Sequence, residues 1–111
     1  MLPKSNRLKE EKDFKRVYNK GRYTNGSYIS IKYLYLNYNS ATKIGVVVSK
    51  KISNKATIRN KIKRQINDVF GYILDKIQKN VYIIVTVKKI PEDYASIKED
   101  IKIALEKGRL L

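Results

Sequence analysis

The sequence predicts an α+β fold, a single-domain α/β sandwich in which one four-stranded sheet is packed with three helices. Apolar residues at steps of three and four run from Ile58 through Ile62, Ile66, Val69, Phe70, Ile73 and Leu74 to Ile77, the signature of one buried helix face. Residues 81–87 (Val-Tyr-Ile-Ile-Val-Thr-Val) are almost continuously apolar, as a central strand covered on both faces requires. A chain of 111 residues with 42% apolar content suffices for one core and not for two, so residues 1–111 are expected to form one domain.

Taken in order, residues 1–6 read as a loose basic leader containing Pro3. A helix is expected over about Lys9 to Lys20, with Phe14, Val17 and Tyr18 on one side and Gly21 as its stop. Glu10, Glu11 and Asp13 near its start and Lys15, Arg16 and Lys20 toward its end suit the helix dipole. After a turn region (Thr24-Asn25-Gly26-Ser27), Tyr28 to Asn37 alternates as a strand. Ile29, Ile31, Tyr33 and Tyr35 fall on one face, and Tyr28, Ser30, Lys32, Leu34 and Leu36 on the other. One face covers the core; the other presents aromatic surface. Asn37 to Thr42 reads as a polar hairpin loop leading to a strand over Lys43 to Ser49. The long helix spans about Thr57 to Lys79, with Ser53, Asn54 or Thr57 as its N-cap. The strand at residues 81–87 ends at Lys88-Lys89-Ile90-Pro91. A last helix over about Asp93 to Lys107 turns Tyr94, Ile97, Ile101, Ala104 and Leu105 inward and stops at Gly108. There is no internal repeat, linker or low-complexity segment.

Charge narrows the function. The net charge is +15, and residues 14–67 hold thirteen Lys and Arg without one acid, whereas the remainder has twelve bases against ten acids. Seven cations (Lys50, Lys51, Lys55, Arg59, Lys61, Lys63 and Arg64) crowd the start of the long helix. The first turn of a helix already carries about half a positive charge, so cations there are unfavourable unless an anion binds. A solvated basic face is the plainer reading, but no acid stands at i,i+4 before Asp68 to balance it. A polyanion is the better fit, and nucleic acid is the obvious one.

Other functions are excluded or weakened. Without cysteine or histidine the chain has no disulfide framework, no usual zinc site and neither thiol nor imidazole for catalysis. Ser49 follows a strand but lacks the setting of a nucleophile. Glu10, Glu11 and Asp13 are the only cluster that suggests magnesium, and pairing with neighbouring cations is the simpler reading. The sequence therefore predicts no catalytic residue, no metal and no cofactor bound by the protein. No segment is long enough to span a bilayer, and nothing at the N-terminus resembles a signal peptide, so a cytoplasmic protein with no membrane partner is expected. Nine tyrosines are unusual in so basic a chain, and five of them lie between Tyr23 and Tyr38. Aromatic faces stack on unpaired bases while cations track the backbone; the alternative is that they are silent strand residues.

The runs Gly45-Val46-Val47-Val48-Ser49-Lys50-Lys51 and Lys55-Ala56-Thr57-Ile58-Arg59-Asn60-Lys61-Ile62-Lys63-Arg64-Gln65-Ile66 closely resemble the signature of the protein subunit of bacterial ribonuclease P. So do Asn6-Arg7-Leu8, Asp13-Phe14-Lys15-Arg16-Val17-Tyr18 and Gly21, and the resemblance extends over nearly the whole chain. It implies a ribosomal-protein-like α/β sandwich with a left-handed βαβ crossover through the long helix, a rare hand. It also implies a cofactor for a catalytic RNA that removes the 5′ leader of precursor tRNA using Mg2+ held by the RNA. The partners would be that RNA and precursor tRNA, with the free protein a monomer and one protein per RNA.

Carried over by position, the ribozyme-binding residues would be Lys50, Lys51, Lys55, Arg59, Asn60, Lys61, Lys63 and Arg64. A cleft between the first helix and the sheet would hold the leader through Phe14, Tyr18, Ile29, Ile31 and Tyr33. Tyr18 stands where the family often has Phe, and the loop Ile52 to Thr57 has Ser53 in place of a usual glycine. That departure weakens any metal role for the loop. Two rival functions remain at this point: a ribosomal or general RNA-binding protein with no processing role, and a membrane-surface protein using the basic amphipathic helix.

Overall fold

The apolar repeat folds as one helix as far as Ile73, and what that helix covers decides the architecture. The computed structural model describes residues 2–111. The elements are α1 (Glu11–Lys20), β1 (Arg22–Asn25), β2 (Ile29–Tyr35), β3 (Lys43–Val47), α2 (Ala56–Ile73), β4 (Val81–Val87) and α3 (Tyr94–Lys107), with 3-10 turns at Lys4–Asn6 and Leu74–Lys76. The four strands make one mixed sheet in the order β1-β2-β4-β3: β1 with β2 and β2 with β4 run antiparallel, and β3 with β4 parallel.

Alternation along the strands divides the core in two. On one face Ile29, Ile31 and Tyr33 of β2, Ile44 of β3 and Val81, Ile83, Val85 and Val87 of β4 meet Ile62, Ile66, Val69 and Phe70 of α2 and Ile97, Ile101, Ala104 and Leu105 of α3. On the other, Leu34, Leu36, Val47, Tyr82 and Ile84 meet Leu8, Phe14 and Val17. Two helices thus cover one face and one short helix the other. At 1.5 Å per residue α1 is only about 15 Å long, and Tyr23, Asn25, Lys32, Val47 and Thr86 on its side of the sheet keep solvent exposure.

Several expectations need correcting. The N-terminal segment is not loose: Leu2 is buried in the larger core, the Leu8 amide donates to the Ile44 carbonyl at 2.9 Å, and the Asn6 side-chain amide donates to the Thr42 carbonyl at 2.8 Å. The fourth strand, β1, includes Thr24 and Asn25, which read as a turn; the turn itself lies at Gly26–Tyr28. Residues 37–42 are no hairpin, because β4 lies between β2 and β3. The most apolar strand takes a central place, where both its edges are paired. The connector crosses its start instead, fixed by Leu36 N–H to Asn80 O (2.7 Å), Ser40 N–H to Asn80 Oδ1 (2.9 Å) and Thr42 Oγ1 to Gln78 O (2.9 Å).

Helix ends differ as well. α2 begins after Lys55, with no side-chain cap from Ser53, Asn54 or Thr57, and gives way at Ile73 to the 3-10 turn rather than continuing to Lys79. Gly21 ends α1 in an extended conformation. Close approach explains this glycine: a Cβ there would stand 2.5 Å from Val17 O and 2.9 Å from Tyr33 O.

Candidate nucleic-acid interface

The start of α2 carries the excess charge. A turn after β3 (Ile52 N–H to Ser49 O, 3.1 Å) leads into a loop that folds back on the helix, where Arg59 Nη1 donates to Ser53 O at 2.9 Å. Ser53 Oγ accepts from the Lys55 amide at 3.2 Å. With no acid in the first turn and no capping side chain, the leading N–H groups of α2 are left uncapped by the protein's side chains, an end that favours an anion. Lys50, Lys51, Lys55, Asn60, Lys61 and Arg64 are exposed; Arg59 and Lys63 are half-buried. The ion pairs found among the described residues lie in and beside α1: Lys12–Glu10 (3.4 Å), Lys15–Glu11 (3.5 Å) and Arg16–Asp13 (3.6 Å). None reaches residues 50–64. Glu10, Glu11 and Asp13 thus each face a cation.

A hollow of about 470 Å³ runs between α2 and the N-terminal segment, lined by Arg7, Lys61, Arg64 and Asp68 among others. Arg7 is fixed there by its Nε–H to Leu2 O (3.0 Å) and by a bridge to Ile44. Read as part of a matching run but not as a site residue, Arg7 is brought to the basic helix by the burial of Leu2, which no local pattern announces.

The aromatic surface lies on the α1 side of the sheet. Phe14 is half-buried and seated on Gly45, where a Cβ would come 2.6 Å from its ring. Tyr18 is 44% exposed, its ring 6.4 Å from that of Phe14. Lys32 Nζ donates to Tyr18 O and lies 5.9 Å from the Tyr18 ring centre. On β1, Tyr23 is 54% exposed, and its hydroxyl donates to Ser30 Oγ at 3.2 Å. Once the phenol ionises, the Ser30 hydroxyl can turn and donate to its oxygen, and this, with the charges of Lys88 and Lys32, holds the Tyr23 phenol below its ordinary pKa. Tyr18, Tyr23, Lys32 and Lys88 therefore share one open basic face.

Ile29, Ile31 and Tyr33 do not belong to it. They do share one face of β2, but it is the face under α2 and α3, where they are 1%, 0% and 8% exposed. Two helices bury more apolar surface than one, and the fully apolar row of β2 goes to them. On the strand side the open face is formed by Lys32 of the other row together with Tyr23 of β1, while Ser30 of the same row is buried and bonded to the Tyr23 hydroxyl. The polar members of that row were the available signal.

The two surfaces meet at one end of the sheet. Val47, Thr86, Ser30 and Asn25 are paired across it, so Lys50 and Lys51 leave β3 where Lys88 and Lys89 leave β4. Lys89 Nζ stands 5.0 Å from the Tyr28 ring centre at the same end. The arrangement can hold phosphates along α2 and unpaired bases beside α1. Among the described residues no helix is long and apolar enough to cross a membrane, and the Ile58–Ile77 stripe is spent on the core.

A family model described as Ribonuclease P matches residues 2–108. A ribonuclease P protein component from Pseudanabaena sp. is 39% identical over 113 residues, covering 100% of this chain and 97% of the relative. Among solved structures, a mutant RNase P protein from Staphylococcus aureus superposes with a TM-score of 0.87 at 26% identity, covering 97% of this chain and 92% of the other. The RNase P protein of Thermotoga maritima gives 0.80 at 25% identity, covering 91% and 96%.

Proposed function

The chain belongs to the ribonuclease P protein family, and on that premise we propose that it is the protein subunit of a ribonuclease P ribonucleoprotein that matures the 5′ end of tRNA in the cytoplasm. The observation that carries this reading is the basic start of α2, reached by no ion pair among the described residues, lying next to a separate aromatic face. In this reading α2 docks on the catalytic RNA. Lys61, Lys63 and Arg64 neutralise phosphates, with Asn60 as a hydrogen-bonding partner and Arg7, Lys50, Lys51 and Lys55 at the rim. Each neutralised phosphate releases counterions, which makes affinity steeply salt-dependent. Arg59 shapes the loop before the helix as well as adding charge.

The face formed by Phe14, Tyr18, Tyr23 and Lys32 receives the leader as a single strand, each stacked base contributing about 1–3 kcal/mol. A contact with the leader favours precursor over mature tRNA, because the product has lost it. The RNA carries the chemistry with its own Mg2+; the protein supplies no catalytic residue and binds as one copy per RNA.

The test is reconstitution. Cleavage of a precursor tRNA by the catalytic RNA at low Mg2+ is expected to rise on adding the protein, and Tyr18→Ala is expected to weaken precursor binding more than mature tRNA binding. No stimulation would leave a general RNA-binding protein. Equal loss for both substrates would remove the leader contact.

A further inference from the structure

At the far end of the sheet from Lys50 and Lys88 is another hollow, of about 480 Å³, used by neither surface above. It is five residues along β2 from Ser30, about 17 Å at strand rise. β1 pairs with β2 only as far as Arg22 opposite Tyr33, so the edge of β2 is uncovered at Leu34 and Tyr35, and the hollow opens there. Lys20 at the end of α1, Arg22 at the start of β1 and Arg109 just after α3 line it together with Tyr33 and Tyr35.

Three features point to a ligand. First, no carboxylate lines the hollow, and no ion pair or side-chain hydrogen bond among the described residues engages Lys20, Arg22 or Arg109. Gathered like charges repel unless an anion joins them. Second, Tyr35 is 47% exposed and stands edge-on to Tyr33, ring centres 6.0 Å apart and planes at 85°. Tyr33 is itself wedged under Gly108, where a Cβ would lie 3.2 Å from its ring, so Tyr35 rests against a fixed neighbour and offers its exposed ring to the hollow. Burial, then the neighbouring Tyr33, raise the Tyr35 phenol pKa, so it adds no negative charge at neutral pH. Third, Arg109 has φ 58°, a left-handed conformation that costs a non-glycine residue free energy. The turn is held on both sides by Arg109 N–H to Glu106 O (3.0 Å) and by Leu110 N–H to Leu105 O (2.9 Å), with Leu110 buried. An arginine stands at the rim where glycine would be less strained.

We propose that this hollow is a second RNA subsite that takes one unpaired nucleotide, its base against Tyr35 and its phosphate against Lys20, Arg22 and Arg109. The proposal rests on the RNA-binding reading above and adds a contact that α2 and the α1 cleft cannot make. The same charges would attract a free phosphate, so the platform is what distinguishes a nucleotide.

The experiment is an NMR titration of the full ¹⁵N-labelled chain with hexaadenylate, and separately with inorganic phosphate. The amides of Tyr35, Gly108 and Arg109 are expected to shift with hexaadenylate. Tyr35→Leu, and separately the double variant Arg22→Gln/Arg109→Gln, should each raise the midpoint at those amides by about 5-fold or more, as losing one stacked base does. The variant spectra also report whether the fold is intact. Shifts confined to residues 55–64 would overturn the subsite and leave the RNA-binding reading standing; no shift anywhere would sink both. An unchanged midpoint in Tyr35→Leu, with inorganic phosphate moving the same amides equally, would make the hollow an anion site without base recognition and also overturn the proposal.

Discussion

Arg59 and Arg64 are both cations of α2, yet they are held differently. Arg59 Nη1 donates to Ser53 O at 2.9 Å and is half-buried, whereas Arg64 is exposed beside the Arg7 hollow with no ion pair or side-chain hydrogen bond among the described residues. Replacing each by alanine should therefore give different signatures. Arg64→Ala is expected to leave thermal stability unchanged and to flatten the log–log salt dependence of catalytic-RNA binding by about 0.7–0.9. Arg59→Ala should also loosen residues 49–55, seen as faster amide exchange there. Filter binding across a salt series checks the first: an unchanged slope and affinity for Arg64→Ala would remove it from the interface. Neither distinction is visible in the sequence, where both are cations of one motif. The charge cluster was legible because charge is local in sequence; the bond to Ser53 depends on how the loop returns.

Among the elements, the β1–β2 hairpin shows what holds the aromatic face in shape. Asp100 of α3, buried at 4% exposure, accepts from the amides of Ser27 (2.5 Å), Tyr28 (2.9 Å) and Ile29 (3.0 Å). A helix carboxylate thus satisfies the turn that places Tyr23 and Lys32. Asp100→Ala would leave these donors unpaired and is expected to cost roughly 3 kcal/mol. Urea unfolding measures it; a loss under about 1 kcal/mol would mean that water replaces the carboxylate. Sequence reading found α2, β4 and α3 because their periodicity is strong and their length sufficient. It missed β1, four residues without clear alternation between Gly21 and Gly26, and it took β2 and β3 for a hairpin because adjacency in sequence is the usual rule. It also placed Ile29, Ile31 and Tyr33 at the surface, whereas they lie buried under α2 and α3. Both rows contain apolar residues, and the choice between them is made by α2 and α3, far along the chain.

For the molecule as a whole, the +15 charge sets the terms. Self-repulsion destabilises the free fold, and salt screens it over about 10 Å at 0.1 M. The melting temperature of the free protein is expected to rise with salt, while that of its RNA complex falls as phosphate contacts weaken. Calorimetry on both forms checks this, and a parallel rise would show that RNA does not relieve the repulsion. The strand order has a further consequence. Because β4 sits between β2 and β3, a nascent chain that has emerged only as far as Lys79 has no means of closing its sheet. The entire acid-free block, residues 14–67, leaves the ribosome before the strand that organises it. During synthesis, then, a polycationic segment emerges among ribosomal RNA and messenger without the strand that joins its two halves, and the last third of the polypeptide decides when its sheet can close.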